Sequence, residues 1–347
     1  MEEPMNWSIS LQTVFEAAAL LIFCMLNTRL YGQEPQATAG KIHYFEATHY
    51  YNTFSFAHPP ALRINPGDRV VTRTVDARGF DETNTQVAQR GNPEIGPFYV
   101  EGAEPGDVLV VRLEKIEPNR ATAWSNQVLA PYTIDPAFLR TQALQLSNSL
   151  ETWQIDKEQG IARTTSDDIQ PQGISVPLQP MLGCVAVAPS RKEAVNTGTP
   201  GAFGGNMDYF GMTEGVTLML PVSEPGALLF LGDGHARQGH GENLGNALEI
   251  SMDVEFSVDL IKNKKIGWPR LENDEYIMVL GSARPLLQAL QHATTELLRW
   301  LMADYGFDER GASLLLGHAL EYDIANIVDP HFTVAAKIKK TMLQGSQ

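Results

Sequence analysis

The sequence predicts a mainly β protein, an antiparallel β-sandwich or barrel-like core with a smaller α/β segment at the C-terminus. Three observations predict it. From Leu248 to Leu260, Leu248, Ile250, Met252, Val254, Phe256, Val258 and Leu260 alternate strictly with Glu249, Ser251, Asp253, Glu255, Ser257 and Asp259. A period of two with one apolar and one acidic face describes a strand in a half-exposed antiparallel sheet. Three Pro-Gly turns each precede an apolar, β-branched run: Pro66-Gly67, Pro105-Gly106 and Pro225-Gly226. After Pro285 the apolar period lengthens, with Leu286, Leu290, Ala293, Leu297 and Leu301 on one helical stripe.

Taken in order, the chain opens with residues 1–33, an expected signal peptide or leader. Ala17–Leu26 is a run of ten apolar residues, too short to span a bilayer and of the length of a signal-peptide core. Glu2, Glu3 and Glu16 stand where a signal peptide carries basic residues. The expected location is therefore secreted or periplasmic if the leader is a signal peptide, and cytoplasmic otherwise. Residues 34–347 read as one domain, β-rich to about 280 and α/β over 281–340. Between about 117 and 205, Pro, Gly, Asn and Gln become frequent, which predicts long connections and short strands, with Leu178–Val187 rejoining the core. A second helix is expected over Asp308–Leu320 and a short strand over Phe332–Ala336.

Acidic residues number 41 against 26 basic ones, a net charge of −15. Such a chain offers no concentrated basic surface for phosphates, which excludes a nucleic acid as the expected partner and favours a neutral or cationic small substrate. Outside the leader Cys184 is the one cysteine, so a disulfide or cysteine-rich metal site within the domain is excluded, and its apolar run LGCVAVAP reads as core packing.

The segment Leu228–Glu242, LLFLGDGHARQGHGE, concentrates the chemistry. A strand is expected to end there in a glycine-rich loop carrying Asp233, His235, His240 and Glu242. Asp233 and His235, two apart, project to the same side of an extended segment, as half a metal site or an acid/base pair would. A polar turn in which Asp233 caps a backbone N–H is the bland reading of the same residues. In GGNMD, Asn206 and Asp208 follow two glycines whose backbone N–H groups could serve an oxyanion. Glu101 ends the strand preceding Pro105-Gly106, and Asp76 closes another; each, taken singly, reads as solvated. No Gly-x-Ser-x-Gly elbow or His-Glu-x-x-His motif occurs, and Cys184 reads as too buried for a cysteine nucleophile. Carboxylates and histidines on glycine-rich loops remain, which favours metal-assisted or carboxylate-driven hydrolysis.

The motifs GPFYVEGAEPGDVLVV, GGNMD and EGVTLMLPVSEPGALLFLGDGHARQGHGE, with VDP at Val328–Pro330, resemble in order the acetamidase/formamidase family of amide hydrolases. The resemblance covers about residues 42 to 340. It implies hydrolysis of a short linear amide to ammonia and a carboxylate, a divalent metal near the Asp-x-His loop with zinc ahead of calcium, and a homo-oligomer. Carried onto matching positions, it makes Asp233 and His235 metal ligands and Glu101 a general base or further ligand. Asn206 and Asp208 would orient the amide or complete the metal shell, and Asp76 would be a further metal ligand. One departure stands out: His240 occupies the place of an Asp in a Gly-Asp-Gly-Glu run. That change keeps open a non-catalytic secreted β-sandwich that binds a metal or small ligand, and a hydrolase of a different amide.

Overall fold

The computed structural model describes residues 40–141 and 150–343, so the leader and Cys24 lie outside the described residues. Two large sheets face each other. One has nine strands in the order Ile42–Tyr44, Arg69–Arg73, Met252–Ile261, Val108–Pro118, Thr217–Pro221, Arg270–Glu272, Tyr276–Ala283, Phe332–Lys339 and Glu321–Asn326. The other has five, Gly204–Asn206, Met181–Ala186, Leu229–His235, Ile95–Val100 and Leu62–Ile64. Pairing is antiparallel except at one edge of each, where Ile42–Tyr44 joins Arg69–Arg73 and Leu62–Ile64 joins Ile95–Val100 in parallel. Each of the three Pro-Gly turns leads into a strand as expected: Arg69–Arg73, Val108–Pro118 and Leu229–His235.

The core between the sheets joins Phe98, Leu182 and Leu231 to Val70, Leu109, Val254 and Phe256. Phe98 meets Phe256 edge to face, with ring centroids 5.2 Å apart. Leu150–Asp156, Ile161–Thr164 and Ser175–Pro177 form an antiparallel meander with Thr122–Asn126, the short strands expected of the 117–205 region.

The nine-stranded sheet buries both faces along Tyr276–Ala283. Met278 and Leu280 enter the inter-sheet core, while Ile277 and Val279 pack beneath the helix Leu286–Asp304 through Ala293, Leu297, Trp300 and Leu301. A second helix, Glu309–Ala319, starts at Asp308, whose side chain accepts from the Gly311 N–H at 2.6 Å. The strand Glu321–Asn326 that follows is one the sequence pattern does not announce. Among the described residues no helix is long and apolar enough to cross a membrane.

The alternating segment differs from its expectation at its start. The strand runs over Met252–Ile261, and Glu249 and Ser251 are buried rather than wet. Glu249 instead makes backbone bridges to Trp124 and His235, which turn its side chain into the molecule.

Candidate functional site

The site is built on Leu229–His235, a strand buried along its whole length between Met181–Ala186 and Ile95–Val100. Asp233 and His235 thus stand on the strand itself, not on the glycine-rich loop expected after it. Pairing with Met181–Ala186 matches Leu182 to Gly234 and Cys184 to Gly232 and skips the pair between them, where Asp233 has φ of 54°. Opposite it, Gly183 has no side chain, and a Cβ there would overlap both Asp208 Oδ1 and Asp233 Oδ2. Asp208 arrives from the other side of the same strand, its N–H donating to the Gly183 carbonyl at 3.0 Å. Gly183 is the floor over which two carboxylates converge.

His235 is fixed through Gln238. The Gln238 side-chain N–H groups donate to the carbonyls of Asp208 and Ala325, which leaves Gln238 Oε1 facing His235 Nδ1 at 3.0 Å. That orientation puts a proton on Nδ1 and turns Nε2 toward the carboxylates of Asp233 and Glu249, each 3.3 Å away. Glu242 completes the group. Donor atoms of Asp208, His235 and Glu242 lie within 4.8 Å of one another, as do those of Asp233, His235 and Glu249. Three of these residues, Asp208, Asp233 and Glu242, have positive φ values of 41°, 54° and 52°. Such backbone costs about 1–3 kcal/mol per residue and gathers where a site demands it.

The electrostatics call for a cation. Burial pushes the carboxyls of Asp208, Glu242 and Glu249 above their ordinary range, and neighbouring carboxylates add to it. Burial opposes a charged His235, yet Glu249 and Asp233 hold its pKa well above the usual value. Burial also works against the Asp233 carboxylate, but the positive ring of His235 keeps it low. Asp208 Oδ1, His235 Nε2 and Glu249 Oε2 are buried without a hydrogen-bond partner, a costly state that a bound cation would relieve. One imidazole among several carboxylates fits zinc better than calcium, which takes oxygen ligands throughout.

An amide network holds the carboxylates apart from solvent. Asn206 Nδ2 donates to Asp208 Oδ2 at 2.7 Å and to Asp329 Oδ2 at 2.8 Å, while Asn206 Oδ1 accepts from Asn92 at 2.6 Å. Asn326 donates to the same two oxygens at 3.3 and 3.2 Å. Burial raises the Asp329 carboxyl to about 7. Above the group opens a cavity of 410 Å³ whose walls include Asp233, Glu242, Glu249, Asp329, Trp124 and Arg78.

The structure therefore brings together Asp233, His235, Glu242, Asp208 and Asn206 from the residues read in the sequence, and sets Glu101 and Asp76 aside. Glu101 is on the surface, in the turn after Ile95–Val100, bonded at 2.7 Å to Arg63, and it does not line the cavity. Asp76 is buried but fully engaged: it pairs with Arg120 and accepts from Trp124 Nε1 at 2.9 Å and from the N–H groups of Arg78 and Phe80. No lone pair is left to ligate a metal. The Gly204 N–H, expected near an oxyanion, donates to the Gly201 carbonyl at 3.1 Å. His240 is exposed, its ring 4.0 Å from that of Phe210, so the departure at this position leaves the carboxylate group intact.

Sequence reasoning missed Glu249, Asp329, Glu94, Gln238 and the amides Asn92 and Asn326. Glu94 is fully buried against the Cα of Gly232, where a Cβ would overlap its Oε2. Burial and the nearby Asp233 charge raise its carboxyl, with Cys184 beside it. The signal that existed was VDP, which contains Asp329.

Comparison with known proteins shows the family and the fold. Residues 41–194 and 191–342 match the model of the Acetamidase/Formamidase family. A crystal structure of an acetamidase from Yersinia enterocolitica superposes with a TM-score of 0.74 at 31% identity, covering 90% of this chain and 95% of that one. An acetamidase of Mycolicibacterium smegmatis is 26% identical over 215 residues, 48% of this chain and 53% of its own length. A formamidase of Methylophilus methylotrophus is 26% identical over 260 residues, 60% of this chain and 64% of its own length. The matches to these two relatives thus span between about half and two thirds of their lengths.

Proposed function

This chain belongs to the acetamidase/formamidase family, and from that premise we propose that it hydrolyses the C–N bond of short linear amides, releasing ammonia and a carboxylate. The observation that carries the reading is the convergence of Asp208, Asp233, His235, Glu242 and Glu249 beneath the cavity, with ligand atoms left unpartnered. Asp233, His235 and Glu249, with Asp208 and Glu242 beside them, would hold a divalent ion, zinc fitting the donor set best. When bound, such an ion supplies Lewis acidity, polarising an amide carbonyl and making water a better nucleophile at neutral pH.

The chain's own residues perform the remaining work. Gln238 orients His235, and Asn206 and Asn326 fix Asp208 and Asp329. Asp329, a cavity wall residue brought by burial to about 7, can both take and give a proton near neutrality. In this reading it receives the proton of the attacking water and returns one to the leaving nitrogen, the part that the sequence resemblance gives to Glu101.

The test is ammonia release from formamide, acetamide and longer amides by the purified chain, with and without a chelator, beside metal analysis of wild type and His235→Ala. Release that stops on chelation, returns with added zinc, and is lost together with bound metal in His235→Ala is the expected result. A metal-replete chain that cleaves none of these amides overturns the reading.

A further inference from the structure

Among the described residues, Arg78 has no anionic partner for its guanidinium. Its backbone is engaged, the N–H donating to Asp76 at 2.9 Å and the carbonyl accepting from Gln86 at 3.1 Å. Its guanidinium makes no hydrogen bond or ion pair within 4.0 Å to any described residue, and its Nε is buried without a partner. Arg90, Arg163 and Arg310 also lack carboxylates but are exposed, whereas Arg78 is half-buried. A half-buried guanidinium with free donors costs desolvation unless something completes it.

Its place shows what could. Arg78 lines the 410 Å³ cavity and also the adjoining 280 Å³ cavity, the two meeting at Arg78, Trp124 and Leu150. The guanidinium carbon sits 5.4 Å from the Trp124 ring centre and 5.5 Å from that of Phe80. Aromatic neighbours at that range position the cation and leave its in-plane N–H groups for a planar anion. Arg120, the other arginine of the smaller cavity, is neutralised by Asp76. The larger cavity therefore carries both signs of charge. Its walls hold the buried Asp233, Glu242 and Glu249 with the half-buried Asp329, and also the half-buried Arg78 and the exposed Arg90.

Size points the same way. At about 30 Å³ per water molecule, 410 Å³ corresponds to roughly a dozen waters, far more than formamide or acetamide fills. Resting on the amide-hydrolase reading above, we propose that Arg78 is a specificity residue that binds a carboxylate at the far end of the substrate. The preferred substrate is then the half-amide of a short dicarboxylic acid. This differs from the neutral or cationic substrate that net charge favours, because the cavity wall holds two arginines although the molecule's total charge is negative. The reaction balances as hydrolysis: the C–N bond breaks, a C–O bond to water forms, and the nitrogen leaves as ammonia with a proton gained. The product is a dicarboxylate.

The experiment compares kcat/KM for succinamate and glutaramate with that for the neutral butanamide and pentanamide, in wild type, Arg78→Met and Arg78→Lys. The expected result is a wild-type preference for the charged amides that falls at least tenfold in Arg78→Met, through KM, and recovers in part in Arg78→Lys. Added salt should raise KM for succinamate and leave that for butanamide unmoved. Butanamide cleaved as well as succinamate, or Arg78→Met lowering both alike, overturns this proposal while the amide-hydrolase reading stands. No ammonia from any of the four amides overturns both.

Discussion

At the scale of single residues, the site depends on a side chain that is missing. Gly183 lets the carboxylates of Asp208, just past one strand, and Asp233, within another, approach over one Cα, and an alanine would meet both oxygens. Gly183→Ala is expected to leave the fold intact, because the clash is with side chains, and to weaken metal affinity by about 10–100-fold, as disturbed ligand orientation does. Competition with a chelating dye, alongside circular dichroism, measures both. Glu101→Gln is the contrasting case. Its exposed pair with Arg63 contributes no more than about 1 kcal/mol, so stability should barely move and ammonia release should persist. The two glutamates of one strand region explain why the sequence misleads here. Glu94 and Glu101 flank the same strand, and only the opposing glycine, Gly232, decides that Glu94 is enclosed. A contact made by the absence of an atom on a distant strand leaves no mark near the residue it admits.

At the scale of elements, the buried pair Asp76–Arg120 ties the end of one strand to the start of another and presents Trp124 to the cavity. Removing one member strands the other's charge in the interior, which costs about 3–5 kcal/mol. Asp76→Ala should therefore lower the unfolding free energy by that amount, read as a lower denaturation midpoint at unchanged m-value, with metal stoichiometry retained in the folded fraction. Loss of metal with stability preserved would instead make Asp76 a ligand. Strand starts and period were legible because Pro-Gly turns and alternation are local. Period alone assigned Glu249 to the solvent face, and the bridges of Glu249 to Trp124 and His235 reverse that. Alternation tells which residues share a face but not what covers it. Asp233 and His235 were legible as a pair because their spacing is carried by one strand.

At the scale of the molecule, the site concentrates negative charge in a chain that already carries −15, so its stability should turn on pH and metal in opposite senses. A carboxyl whose folded-state pKa is raised binds its proton more tightly folded than unfolded. Its stabilisation is complete below the unfolded value and is lost as pH rises through the folded one. For Asp329 that window runs from an ordinary 3.8 to about 7. Asp208, Glu242 and Glu249 are shifted in the same direction, and His235, raised by its two carboxylates, also loses stabilisation as pH rises. Asp233 is lowered and works the other way, but only below 3.8, outside this window. Metal reverses the slope, because its ligands must shed their protons, and at a hundredfold excess over Kd it adds about 2.7 kcal/mol. The thermal midpoint of chelated protein should thus climb as pH is lowered from 8 to 6, while that of zinc-loaded protein falls over the same range. The gap between them should narrow steadily toward acid. A chelated protein whose midpoint is flat or falls from pH 8 to 6 would mean that these carboxylates do not share one buried field, and with that the case for a common cation would fail.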